Sequence, residues 1–158
     1  MSVSAQTKSA ERELRITRIL DAPRHLVWKA WTDPEHLMRW WGPHARKTRV
    51  IEMDVRSGGG WRFHMRSPEG IEEWQRGVYR EIVEPERLVF SYAFEDKTGK
   101  RGHETNVTVT FDDLGAKTRL TLHHAVFETV AVRDDHVRGW GEALDRLAEF
   151  AARKENVQ

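Results

Sequence analysis

Eight histidines are the first residues to test for chemistry: His25, His36, His44, His64, His103, His123, His124 and His136. None forms an HExxH pair, and none meets a second histidine at the spacing of helical metal ligands. His123 and His124 are neighbours in an alternating segment, so they point to opposite faces of a strand and cannot share one metal. With no cysteine in the chain, thiol nucleophiles, disulfides and Cys-ligated metals are absent as well. No metal site or cofactor is expected. His124 shares parity with Leu120 and Leu122, and Tyr92 with Phe90 and Phe94. An inward imidazole and an inward phenol could act as acid and base, although no third group is visible to orient the base. Gly58-Gly59-Gly60 lacks a following Lys-Ser/Thr and leads into a strand, so it reads as a hairpin turn rather than a phosphate cradle.

The elements that must position these groups follow from periodicity. "ELRITRIL" (Glu13–Leu20) reads as a first strand. Asp21-Ala22-Pro23 starts a short helix, with Pro23 at its first position, presenting Val27, Trp28 and Trp31. Thr32 or Asp33 caps a second, about two turns long, carrying Leu37, Met38, Trp40 and Trp41 up to Gly42-Pro43. From Thr48 the period becomes two. Six segments, ending with "KTRLTLHHAVF", alternate apolar and polar residues between short turns, the pattern of an antiparallel meander with one wet face. The segment Ile71–Val83 is irregular: its parity joins Trp74 and Val78 with Arg76, Arg80 and Ile82. A bulge near Gly77 would change phase and spare two buried arginines, or one arginine reaches a cavity to hold an acidic group. From Asp134, Val137, Trp140, Leu144, Leu147 and Ala151 form one stripe of a helix of about five turns.

A formal net charge of +1 gives no basic field to gather nucleic acid or an anionic membrane surface. No apolar run approaches a bilayer span, and residues 1–12 lack the apolar stretch of a signal peptide, so a cytoplasmic protein is expected. At 39% hydrophobic and 32% charged, the chain has the balance of a folded domain. The expected organisation is a tail over 1–12, one domain over 13–154 and a tail over 155–158, as a monomer or homodimer.

The segments "DAPRHLVWKAWTDPEHLMRWWGP", "GGGWRFHMRSPEG", "EIVEPERLVFSY" and "RGWGEALDRLAEF" resemble the START/Bet v 1-like superfamily, in its branch related to the activator of Hsp90 ATPase. That resemblance implies an α+β helix-grip fold: a seven-stranded antiparallel sheet wrapped around a long C-terminal helix, with two short helices after the first strand. It also implies a cavity between sheet and helix, closed at one end by the short helices. One of Trp40 and Trp41 would then plug the core while the other lies at the cavity lip. Helical phase with Leu37 favours Trp41 for the core and Trp40 for the lip. The expected function is binding of a small hydrophobic or aromatic ligand, with Trp40, Trp41, Met53, Trp61, Phe63, Met65, Trp74, Tyr92, Val109, Leu120, His124 and Trp140 around it. Two alternatives stand beside it. One is a cyclase- or hydrolase-type enzyme using the same cavity, with His124 and Tyr92 as its reacting groups. The other is a protein-interaction module like the Hsp90 co-chaperones. True activators carry a further N-terminal domain, whereas about a dozen residues precede the first strand here.

Overall fold

The computed structural model describes residues 10–153. The elements run β1 (Leu14–Leu20), α1 (Arg24–Thr32), α2 (Pro34–Leu37), β2 (Lys47–Met53), β3 (Gly60–Arg66), β4 (Glu72–Val83), β5 (Arg87–Phe94), β6 (Thr105–Asp113), β7 (Thr118–Ala125) and α3 (Val130–Ala152). Strands β2 to β7 each pair with the next, and β1 closes the far side against β7, giving the order β1-β7-β6-β5-β4-β3-β2. Every pairing is antiparallel. This is the helix-grip fold the sequence implies.

The alternation in β6 and β7 fixes which face is inside. Thr105, Val107, Val109 and Phe111 are buried on β6, and Thr118, Leu120, Leu122 and His124 on β7. Helix α3 lies over that face through Trp140, Ala143, Leu144, Leu147, Phe150 and Ala151. It begins four residues before Asp134, where the Thr129 side chain caps it by accepting from the Val132 amide. Val137, expected in its apolar stripe, is 41% exposed, because the stripe turns toward His136 and Trp140 at this end. At α1, Pro23 is the extended residue before the first turn rather than the first helical residue. Asp33 caps α2 as expected, with its carboxylate accepting from the Glu35 and His36 amides. Rings tie the layers together: Trp28 meets Phe111 edge-on at 5.3 Å, and Trp31 stacks on Trp140 at 6.2 Å.

Strand β4 corrects the expected phase. Gln75 and Tyr79 are the buried residues, whereas Trp74, Arg76, Val78 and Arg80 share the outer face. The phase change lies between Tyr79 and Glu81, later than Gly77, and brings Ile82 back toward the core. Trp74 therefore packs outside, against His64 at 4.6 Å and beneath the Arg62 guanidinium at 4.3 Å. Arg62 also holds Glu95 with two hydrogen bonds, which keep that carboxyl below its usual range. Both arginines of β4 stay outside, so neither reaches in for an acidic group.

Candidate functional site

The tandem tryptophans turn apart because α2 ends at Leu37. Past that point the chain tightens, with Arg39 N donating to His36 O and Trp40 N to Leu37 O, before Trp41 N closes back on Leu37 O at 3.0 Å. The outcome reverses the expected assignment. Trp40 is fully buried, donates its indole N–H to Ala30 O at 2.9 Å and lies 4.6 Å from Trp31. Trp41 is also buried, but it forms the wall of a cavity.

That cavity has a volume of about 420 Å³ and lies between β3, β4, β5 and α3. Its apolar walls are Trp41, Met65, Tyr92, Phe94 and Trp140. The lip is Gly42-Pro43, where Gly42 adopts φ +97° and comes so close to Met65 Sδ that a β-carbon there would lie 2.9 Å from it. Arg146 of α3 fastens this lip. Its guanidinium donates to Gly42 O at 2.9 Å, Pro43 O at 3.0 Å, and to Trp41 O and Arg39 O, and partial burial lowers its pKa. Trp41 O, Gly42 O and Pro43 O converge on Nη1 while Arg39 O meets Nη2, so a lysine, with one nitrogen, cannot serve both groups at once. Arg146→Lys is therefore expected to lose about 2 kcal/mol of stability and to raise the tryptophan emission wavelength as Trp41 loosens, read by urea melts and fluorescence.

The polar groups at the cavity floor form one directed chain. Trp41 Nε1–H donates to Gln75 Oε1 at 2.8 Å, which fixes the amide so that Gln75 Nε2 donates to Tyr92 Oη at 2.6 Å. His136 Nδ1 lies 2.9 Å from Val132 O, which only accepts, so this nitrogen carries the proton. Burial lowers the His136 pKa and keeps the ring neutral, leaving Nε2 to accept from the Tyr92 hydroxyl at 3.2 Å. Burial also pushes the Tyr92 phenol well above its ordinary value. A second chain lies deeper. Trp140 Nε1–H donates to His124 Nδ1 at 3.0 Å, His124 Nε2 donates to Thr105 Oγ1 at 2.6 Å, and Thr105 donates to Tyr92 O at 3.0 Å.

His124 is thus inward, as its parity says, but is not placed to be a base. Both ring nitrogens are spent inside the core, and burial depresses its pKa strongly. Its ring only stacks edge-on against Tyr92, at 4.7 Å. The imidazole that meets the Tyr92 hydroxyl is His136, which sequence reading passed over, as it did Gln75. His136 stands one helical turn before Trp140, and that spacing was the available signal. Of the twelve expected residues, Trp41, Met65, Tyr92 and Trp140 line the cavity. Trp40, Val109, Leu120 and His124 are buried in the core around it, Met53 packs at the core margin, and Trp74 is on the outer face. Trp61 and Phe63 border a separate void of about 10 Å³ together with Trp31, Tyr79 and Phe90, room for about one water. Among the described residues, no three His, Asp or Glu side chains are grouped to hold a metal ion, and no helix is long and apolar enough to cross a membrane.

Comparison with known structures agrees with this architecture. A protein from Chromobacterium violaceum superposes with a TM-score of 0.82 at 25% identity, over 89% of this chain and 97% of its own. The AHSA1 protein of Silicibacter pomeroyi gives 0.83 at 24% identity, over 90% and 99% of the two chains. A solution structure of a protein from Arthrobacter aurescens gives 0.79 at 26% identity, over 89% and 88%. No curated protein matches the sequence. Residues 21–152 match the family described as Activator of Hsp90 ATPase homolog 1-like protein, so the chain belongs to that family.

Proposed function

We propose that the protein binds a small, largely apolar ligand, aromatic in part, in the cavity between its sheet and α3. The observation that carries this reading is the space itself. A chain whose other large rings pack to near closure leaves about 420 Å³ open beside Trp41, Tyr92, Phe94 and Trp140. Concave clefts of this size that join aromatic walls to oriented polar groups are where small ligands bind. Charged side chains rim the mouth, and at the floor the polar groups are fixed in orientation by the Trp41–Gln75–Tyr92–His136 chain, which suits recognition of one polar end.

The enzyme reading keeps one supporting feature, the Tyr92–His136 contact at the cavity wall. As it stands that pair is a neutral phenol donating to a neutral imidazole, poised to hold a ligand more than to move a proton. Native against denaturing mass spectrometry of freshly purified protein tests the binding reading. A discrete mass released on unfolding is expected. Gly139 lines the mouth, and a β-carbon there meets nothing nearer than Pro43 Cγ at 3.8 Å, so Gly139→Phe has room to project into the entrance. That variant should retain at most about a tenth of the bound species at unchanged fold. Equal retention by the variant would sink the reading.

A further inference from the structure

Counting hydrogens on the cavity floor says what the polar end of a ligand must be. Tyr92 Oη has given its proton to His136 and one lone pair to Gln75, so a single acceptor position remains. Gln75 Nε2 has given one hydrogen to Tyr92, so a single donor position remains on the neighbouring atom, 2.6 Å away. Gln75 and Tyr92 are 3% and 5% exposed, and a wholly apolar ligand that displaced water would leave both positions unmet. One hydroxyl group answers both, since it donates through its hydrogen and accepts through its oxygen.

Charge at the cavity narrows the class further. The lining carries two guanidiniums, Arg46 and Arg138, against three carboxylates, Glu73, Asp135 and Glu142. Arg46 is held by Glu73, and Arg138 by Asp135 at 2.8 Å. Glu142 accepts the His44 amide at 3.0 Å, and the nearby Arg146 is committed to the lip carbonyls. An anion reaching the floor finds no unpaired cation, only the one remaining Gln75 hydrogen, and meets the free lone pair of Tyr92, so most of its lost hydration goes unreplaced. We propose that the cavity selects an uncharged aromatic molecule bearing a hydroxyl group, seated with that hydroxyl on Tyr92 Oη and Gln75 Nε2, and discriminates against carboxylates of the same shape. This rests on the binding reading above.

Three probes of one shape separate the possibilities: 2-naphthol, naphthalene and 2-naphthoate, titrated near neutral pH by quenching of tryptophan emission and by calorimetry. The expected order is naphthol first, naphthalene about threefold or more weaker, and naphthoate about tenfold or more weaker. Tyr92→Phe removes the acceptor, and should bring the naphthol-to-naphthalene ratio to about one. That ratio is blind to a general loss of stability, which would weaken both probes alike. Naphthoate binding as tightly as naphthol, or an undiminished ratio in Tyr92→Phe, overturns the hydroxyl proposal and leaves the binding reading standing. Saturable binding by none of the three overturns both.

Discussion

Replacing Gly77 with alanine is expected to unfold the protein at moderate denaturant, with a stability loss of about 3 kcal/mol or more. A β-carbon on Gly77 would sit 1.9 Å from Ser91 O and 2.4 Å from Trp61 Nε1. Neither neighbour is the free end of a flexible side chain. Ser91 O belongs to strand β5, and the Trp61 indole donates to that same oxygen at 3.1 Å across the top of Gly77. Trp61 in turn packs on Phe63 at 4.6 Å, Phe90 at 5.8 Å and Trp41 at 5.9 Å, so moving it disturbs the floor of the core and the cavity wall together. The strand can open only by giving up its pairing with β5, or the indole can leave only by exposing its ring and abandoning its hydrogen bond. Gly141→Ala is the matching control. It lies within α3, and its β-carbon would meet nothing nearer than Arg18 Nη2 at 3.8 Å. There the ordinary helical preference for alanine should act, raising stability by about 0.5–1 kcal/mol. Equilibrium urea unfolding of the two variants beside the parent decides it. A Gly77→Ala midpoint within error of the parent would mean that β4 and Trp61 have freedom the packing denies.

Gly77 also shows why some of this molecule was legible in its sequence and some was not. Unbroken alternation gave the inner faces of β3, β6 and β7 correctly, because a strand with one buried side has only two phases to choose between. On β4 hydrophobicity pointed to the wrong phase. The strand places a large apolar ring, Trp74, on its outer face and an amide, Gln75, on its inner face. Trp74 is tolerable outside because Arg62 and His64 cover it, and Gln75 is tolerable inside because Trp41 and Tyr92 satisfy its amide. Both compensations come from other strands and loops, so no local window could contain them. The assignment of Trp40 and Trp41 failed for a related reason: both indoles are buried, and which of them borders open space is decided by partners on other elements, Ala30 O for Trp40 and Gln75 for Trp41. His136 was hidden among Asp134, Asp135 and Arg138, in a segment read for its apolar stripe alone. The cavity could be inferred only through resemblance, since empty space is a shortfall of packing that no residue type announces. A count of aromatic residues does not distinguish Trp41, which borders the space, from Trp40, which helps close the core.

Acidification should destabilise the protein before any carboxylate is protonated. His124 and His136 are both held neutral in the folded state, chiefly by burial, with their pKa values below the ordinary 6.5. His124 is constrained further by its partners, because a proton added to Nδ1 would face the Trp140 N–H that already points at it. Unfolding releases each ring to water, where it binds a proton with its ordinary affinity. Below about pH 6.5 the unfolded chain therefore carries more protons than the folded one, and stability falls as pH falls; above that value both states are neutral at these rings and the dependence vanishes. Each histidine contributes a slope that approaches about 1.4 kcal/mol per pH unit only where the unfolded ring is protonated and the folded one is not, so stability should fall progressively below the onset. The Glu95 carboxyl, stabilised by Arg62, adds its own loss only further down, below its ordinary value of 4.5, so the two windows are separate. Urea melts from about pH 7.5 down to about pH 5 should show a plateau followed by this decline, and His136→Gln should make the decline shallower while leaving the plateau in place. His136 is the better variant, since it sits at the cavity wall and not in the closed core, where replacing His124 would strand the Trp140 and Thr105 groups together. A stability profile flat through this range would mean that both rings gain protons in the folded protein, and that the Tyr92 hydroxyl is not donating to a neutral imidazole.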